Sequence, residues 1–368
     1  MIGGSAVHQL VHTLSYGDAI STEVLALQRT LREAGVASEI YALHEHPKLK
    51  GRTKPVQELH KEQSGDLVLH YSLGSPLNQA YRSWSRGRRV LVYHNITPAR
   101  WFRGINERVA SDIERGISEL PQLCGLSHAI WADSPFNAAE ISALGYRAEV
   151  LDLPIDPARW ELPRNEGIFR AVRSTPGINV LHVGRLAPNK CVEDVIKSFY
   201  YLHRFFEPRS TLWLAGIDTD TELYSFALRR LAANLGLEDS VRFLGCLADE
   251  ELRSLYEACS VYLCMSEHEG FCFPLIESMY FGLPVVAYGA GAVPDTVGDG
   301  GIVITEKRHA QVAALISELA SDSELRGRLV RSGRERVSYF NYERFSDRVR
   351  GLVSGLGMSR EAHAVCSR

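Results

Sequence analysis

The sequence predicts an α/β protein built from two doubly wound domains, and three observations predict it. A chain of 368 residues is longer than one ordinary core requires. Short apolar runs that read as buried strands alternate with amphipathic helical stretches in both halves. The alternation breaks once, over residues 157–177, where three Pro, two Gly and several charges fall together, and then restarts. The expected division is a first domain over 1–160, a linker over 161–177, a second domain over 178–340 and a final helical segment over 341–368, with a cleft between the domains.

In the first half, 6–14 reads as a strand, Ser15-Tyr16-Gly17-Asp18 as a tight loop, and 20–34 as an amphipathic helix carrying Val24, Leu25, Leu27 and Leu31 and ending at Gly35. Gly3 and Gly4 form a loose lead-in. A strand over 36–43 and a polar surface excursion over 44–64 follow. Strands at 67–71 and 90–93 each run into a polar loop, HYSLGSP and then HNITPARW. A helix over 105–120, a strand over 130–133, a helix opened by Ser134-Pro135 and a strand over 148–153 ending in Pro154-Ile155-Asp156 complete the half. In the second half, strands at 179–183, 211–215 and 241–244 alternate with helices at 192–206, 221–235 and 250–259. Strands at 261–264 and 284–288 then flank a short helix, and 342–352 reads as a last helix.

Composition narrows the function classes. Lys and Arg number 41 against 44 Asp and Glu, a net charge of −3, so no nucleic-acid footprint is present. Seven cysteines, odd in number and without a C-x-x-C pair, read as reduced thiols rather than a disulfide or zinc framework. Without a run of membrane-span length or a charged-then-apolar start, the expected location is cytoplasmic. The arginines at 82, 86, 88, 89, 100 and 103 suit either solvation or peripheral contact with the inner face of a membrane.

Five constellations can carry chemistry. Arg185 and Lys190, five residues apart in a strand-to-helix loop, suit a phosphate at the helix N-terminus or simple solvation; the P-loop spacing is absent. Ser266 to Pro284 sets Glu269 on a loop and Glu277 eight residues later on a helix, bracketing Gly270-Phe271-Cys272-Phe273. Amides there suit ligand oxygens, and carboxylates accept from sugar or ribose hydroxyls. Gly289-Ala-Gly291-Ala-Val-Pro294 fails the dinucleotide fingerprint because Pro294 takes the last Gly position, leaving a turn against a ligand or a plain turn. Asp218-Thr-Asp220 fits either a divalent metal or, with Thr221, a helix cap. His94 stands at a strand end, where a histidine is either hydrogen-bonded structure or catalyst. Cys272, among aromatic residues, lacks a partner motif for a thiol nucleophile.

Arg185 with Lys190, Glu269-x7-Glu277, Gly282-Leu-Pro-Val-Val and the Gly-rich turn before Asp295 together resemble the retaining glycosyltransferases of family 4. The resemblance is strongest over 178–304 and weaker in the first half, where Gly17-Asp18 is similar to the family's glycine loop and His94 to its cleft histidine. The HNITP and EGFC segments look most like bacterial mannosyltransferase-type members of surface polysaccharide synthesis. The resemblance implies the GT-B fold, with acceptor-side and donor domains and a last helix returning to the first. It implies hexose transfer from a GDP- or UDP-linked sugar to a glycan or glycolipid hydroxyl, without metal or other cofactor. By position, Arg185 and Lys190 would hold the diphosphate, Glu277 the ribose, and Glu269 the sugar near its reacting carbon. Gly270, Phe271, Cys272 and Phe273 would grip hydroxyls and phosphate; Gly17 and Asp18 would approach the phosphate, and His94 the sugar. Cys191 and Cys272 stand where the family commonly has Gly, Asp295 where it has Glu, and Asp18 where it has a second Gly. The rivals are a noncatalytic nucleotide-sugar binding protein and a GT-B-type sugar epimerase.

Overall fold

The computed structural model describes residues 6–155 and 157–356; Gly3, Gly4, Asp156 and Cys366 lie outside the described residues. The chain divides into two compact units. The first holds the chain through Ile96, Ser111 to residue 155, and the chain from Phe340; the second holds Thr97–Ala110 and Pro157–Tyr339.

The first unit is a seven-stranded parallel sheet of β1 (Val7–Leu14), β2 (Ile40–Glu45), β3 (Lys54–Pro55), β4 (Asp66–Tyr71), β5 (Arg89–Tyr93), β6 (Ala129–Ala132) and β7 (Glu149–Val150), in the order β3-β2-β1-β4-β5-β6-β7. Its core packs Val68, Val90, Val92 and Trp131 of the strands against Leu27 and Leu31 of the helix Ala19–Glu33. The C-terminal helix Tyr342–Leu356 lies in this unit and buries Phe345, Val349, Val353 and Leu356 in the same core. Each such side chain contributes about 1.5–3 kcal/mol. Its Tyr342 hydroxyl accepts from Thr30 (3.2 Å) and donates to Glu33 (2.8 Å).

The second unit is a six-stranded parallel sheet of β8 (Asn179–Val183), β9 (Thr211–Ala215), β10 (Val241–Gly245), β11 (Val261–Cys264), β12 (Val285–Tyr288) and β13 (Ile302–Ile304), in the order β10-β9-β8-β11-β12-β13. Strand order reverses between β1 and β4 in one sheet and between β8 and β11 in the other. Ligands collect at such switch points, outside the carboxyl ends of the strands.

Several elements differ from the sequence reading. The strand expected at 36–43 starts only at Ile40, and the excursion after it carries short 3-10 turns and β3. The helix expected to stop at residue 120 runs through Pro121 to Leu126, because Leu123 and Cys124 beyond it are buried and offset the missing hydrogen bond. Helices Leu77–Ser83, His309–Ser321 and Ser323–Ser338 had no counterpart in that reading. The break in alternation over 157–177 contains two helices, Pro157–Trp160 just before the expected linker and Glu166–Ser174 inside it, the second opened by Asn165 accepting from the Ile168 amide. Among the described residues, six cysteines are free thiols.

Candidate functional site

β8 ends at Val183, and the loop Gly184–Cys191 leads into helix Val192–Phe205. β11 ends at Cys264, and residues 265–272 lead into helix Phe273–Tyr280. The two loops meet at the switch point and are tied together. Asn189 donates to the His268 carbonyl (3.1 Å) and its own carbonyl accepts from the Glu267 amide (2.9 Å).

Across this tie the Lys190 ammonium reaches both carboxylate oxygens of Glu269, at 2.6 and 2.7 Å. The Glu269 side chain is 6% exposed and that of Lys190 23%. Burial opposes both charges, but the partner dominates: the Lys190 pKa is pushed up to about 12, and the Glu269 carboxyl falls below its ordinary value. His182, at the end of β8, ties Nδ1 to the Leu263 carbonyl (3.0 Å), lies against Tyr262, and is lowered to about 4 by burial. His182 opens the sequence segment that carries Arg185 and Lys190, but that segment assigns it no role.

Arg185 has other partners. Its Nη2 donates to the Thr219 carbonyl (2.7 Å) and lies 3.9 Å from Asp220, and the side chain is about one-third exposed. Asp220 also meets Arg108 at 3.3 Å. Of the Asp218-x-Asp220 pair, Asp220 is thus held by arginines. Thr221 stands at the helix N-cap, yet its hydroxyl donates to the Leu186 carbonyl (2.7 Å) and the Asp218 carbonyl (3.1 Å) instead of making a side-chain cap. The two basic residues read as one phosphate clamp therefore have separate partners.

Glu277, on helix Phe273–Tyr280, is buried. The Tyr256 hydroxyl donates to it at 2.7 Å and Arg159 lies at 3.3 Å. Burial raises its carboxyl above the ordinary range while Arg159 pulls the other way. Arg159 also binds Asp249 at 2.9 Å. Sequence reasoning missed Arg159 because it sits in the irregular stretch over 157–177; its charge, among Pro and Trp, was the available signal. The Gly289–Gly291 turn packs on Glu269 from the other side: the Ala292 amide donates to the Glu269 carbonyl (2.9 Å), and Gly291 adopts φ +58°. Cys272, N-cap of the helix at φ +70°, and Cys191, at φ +48°, occupy left-handed backbone that glycine adopts without strain. Gly270, Phe271, Cys272 and Phe273 form the loop between Glu269 and this helix start.

In the first unit, Gly17 (φ +78°) turns the chain into helix Ala19–Glu33, which Asp18 caps by accepting from the Ser21 amide (3.1 Å). His94 follows β5, and its side chain is fully buried. Its Nε2 meets His70 at 2.9 Å, and its Nδ1 lies 3.3 Å from Asp133 and 3.4 Å from Glu23. His70 reaches on to Gln9 at 2.9 Å. Burial lifts the Glu23 carboxyl to about 8; the two carboxylates hold His94 above its ordinary value, although burial opposes this, and burial holds His70 well below. Of the arginines suggested for membrane contact, Arg88 forks onto Asp66 (2.7 Å), Arg82 pairs with Glu119 (3.6 Å), and Arg86 and Arg89 donate to backbone carbonyls. Among the described residues no helix is long and apolar enough to cross a membrane.

Residues 166–336, which hold the whole second sheet, match the family described as glycosyl transferases group 1. The chain is 28% identical over 165 residues to the O-antigen chain mannosyltransferase B of Escherichia coli, covering 44% of this chain and 42% of that protein. It is 29% identical over 236 residues to the D-inositol 3-phosphate glycosyltransferase of Salinispora arenicola, covering 59% of this chain and 51% of that one. The chain thus spans about half the length of these curated relatives. Among solved structures, it resembles Anabaena HepE in complex with UDP and glucose at a TM-score of 0.76 and 18% identity, over 96% of this chain and 100% of that one. It resembles sucrose-phosphate synthase from Thermosynechococcus elongatus at 0.76 and 18%, over 97% and 100%. Two parallel sheets wound by helices on the pattern of these structures make the fold GT-B, and the stretch that holds the Lys190–Glu269 pair is the one that matches glycosyl transferases group 1.

Proposed function

We propose that the protein is a retaining glycosyltransferase of family 4 that moves a hexose, with mannose favoured, from a nucleotide-diphosphate sugar to a hydroxyl of a glycan or glycolipid. The observation that carries this reading is the Lys190–Glu269 pair at the β8/β11 switch point, within the stretch that matches glycosyl transferases group 1. The E. coli relative's mannosyltransferase name supports the choice of sugar, and the UDP-bound HepE structure supports a nucleotide-linked donor. Lys190 exchanges one carboxylate for a diphosphate oxygen while Glu269 turns to the sugar hydroxyls. Arg185, held through one nitrogen by a carbonyl, swings to the same diphosphate. Neutralising the departing diphosphate is the electrostatic contribution that lowers the barrier, and it requires no divalent metal or other cofactor. Glu277, fixed by Arg159 and Tyr256, accepts from the ribose.

A panel of GDP- and UDP-sugars tests this by calorimetric binding and slow donor hydrolysis in chelator. Binding of one class is expected, together with its hydrolysis. Failure of every donor to bind overturns the reading, and turnover appearing only with Mg2+ overturns metal independence.

A further inference from the structure

The thiols of Cys264 and Cys272 play no part in that chemistry, yet they lie beside it. Both sulphur atoms and a carboxylate oxygen of Glu269 fall within 4.8 Å of one another, and all three residues are buried. Cys264 is the last residue of β11, Cys272 stands at the N-cap of helix Phe273–Tyr280, and the seven-residue loop between folds both sulphurs onto Glu269. Two thiol sulphurs and one carboxylate oxygen suit a thiophilic cation, not magnesium or calcium, which take all-oxygen sets. A further donor stands close by. His182 is tied through Nδ1 to the carbonyl of Leu263, next to Cys264, and its buried Nε2 has no hydrogen-bond partner.

We propose that Cys264, Cys272 and Glu269 form a binding site for a thiophilic divalent cation of the zinc group, and that its occupancy draws one carboxylate oxygen of Glu269 off Lys190. Zinc–sulphur bonds of about 2.3 Å in a tetrahedral set place two sulphurs roughly 3.8 Å apart, a separation inside the 4.8 Å that bounds these three donors. Each thiol releases its proton to solvent as the cation takes the sulphur's electron pair. No electron is transferred. The carboxylate oxygen that joins the cation leaves the Lys190 ammonium, which sits 2.6–2.7 Å from Glu269 without the metal. Binding of the cation stands apart from the proposed transfer reaction; only its effect on a nucleotide donor rests on that reading.

The test is a cadmium titration of the full chain, kept reduced with a phosphine, following thiolate-to-cadmium charge-transfer absorption and the equivalents bound at equilibrium. Cys272→Gly suits its backbone, and Cys264→Ala is the second variant; circular dichroism checks both folds. The expected result is loss of about one equivalent and of the two-thiolate band in either variant, while the one-thiol set of Cys191, Glu193 and Asp194 remains. No charge-transfer band in the wild type, or an unchanged band and stoichiometry in both variants, overturns the site. A parallel arm measures UDP and GDP binding with and without cadmium. If neither nucleotide binds metal-free protein, the donor assignment fails and the cadmium result stands by itself. If a nucleotide binds equally well with cadmium present, the release of Lys190 is overturned.

Discussion

Gly291 lies directly against the backbone of Glu269: a Cβ at position 291 would stand 2.4 Å from the Glu269 carbonyl oxygen and 2.9 Å from its amide nitrogen. The glycine-rich turn Gly289–Gly291 is therefore a brace against the backbone of Glu269. Its φ of +58° adds strain for any other residue.

Gly291→Ala is expected to lose about 2–4 kcal/mol, combining left-handed strain with a backbone clash that no rotamer relieves. Urea denaturation reads the loss. Nucleotide binding should fall with it, since Glu269 must shift to make room. A midpoint within error of wild type would show that the turn yields freely.

Arg159 and Glu277 form a second buried relationship, with side chains 16% and 6% exposed. Removing one member strands the other's charge, so Arg159→Met should cost about 3–5 kcal/mol. The double variant Arg159→Met with Glu277→Met should recover part of it, because an apolar pair avoids both of their desolvation penalties while Asp249 and the Tyr256 hydroxyl still lose their partners. Equal losses in single and double variants would mean that the pair is not energetically coupled; a double-mutant cycle in denaturant decides.

How much of this was legible in the sequence differs by residue. The strands β8, β9 and β11 and helix Val192–Phe205 were readable almost to the residue, since buried parallel strands are continuous apolar runs bounded by turns. Lys190 and Glu269 were readable as candidates, but their direct pairing was not: they are 79 residues apart, and only the crossover between β8 and β11 joins them. Glu23 was invisible. It sits on a helix face otherwise read as apolar, and its meaning comes from His94, Asp133 and His70 on three other elements. Arg159 was hidden by a composition that suggests linker. Cys191 and Cys272 were noted as replacing glycine, and their positive φ angles give the physical reason that glycine suits those sites.

The Glu23 cluster predicts a pH dependence. The Glu23 pKa is raised to about 8 from an ordinary 4.5, with His94, Asp133 and, through His94, Asp18 as its charged neighbours. Between those values the folded chain holds a proton that the unfolded chain has released. Its contribution is therefore fully present below about pH 4.5 and is lost as pH rises through about 8. His94, also raised, acts in the same direction above pH 6.5; His70, held neutral, loses stability on the acid side of 6.5. Glu23→Gln removes the carboxyl's part. Wild type should lose a few kcal/mol relative to the variant between pH 5 and 8.5, read from paired urea midpoints. Parallel pH profiles would sink the assignment.

Lys190 separates stability from binding. Lys190→Ala leaves the Glu269 carboxylate buried without its ammonium, at an expected cost of about 3–5 kcal/mol. Adding Glu269→Gln removes the stranded charge and should restore most of the stability, since a neutral amide can still bond within the loop. Donor binding should not return with it if Lys190 is, as proposed, the cation that meets the diphosphate. Measuring denaturation midpoints and nucleotide affinity on the same three proteins distinguishes the two roles. A double variant that recovers both stability and affinity would assign Lys190 to structure alone and remove it from the donor site.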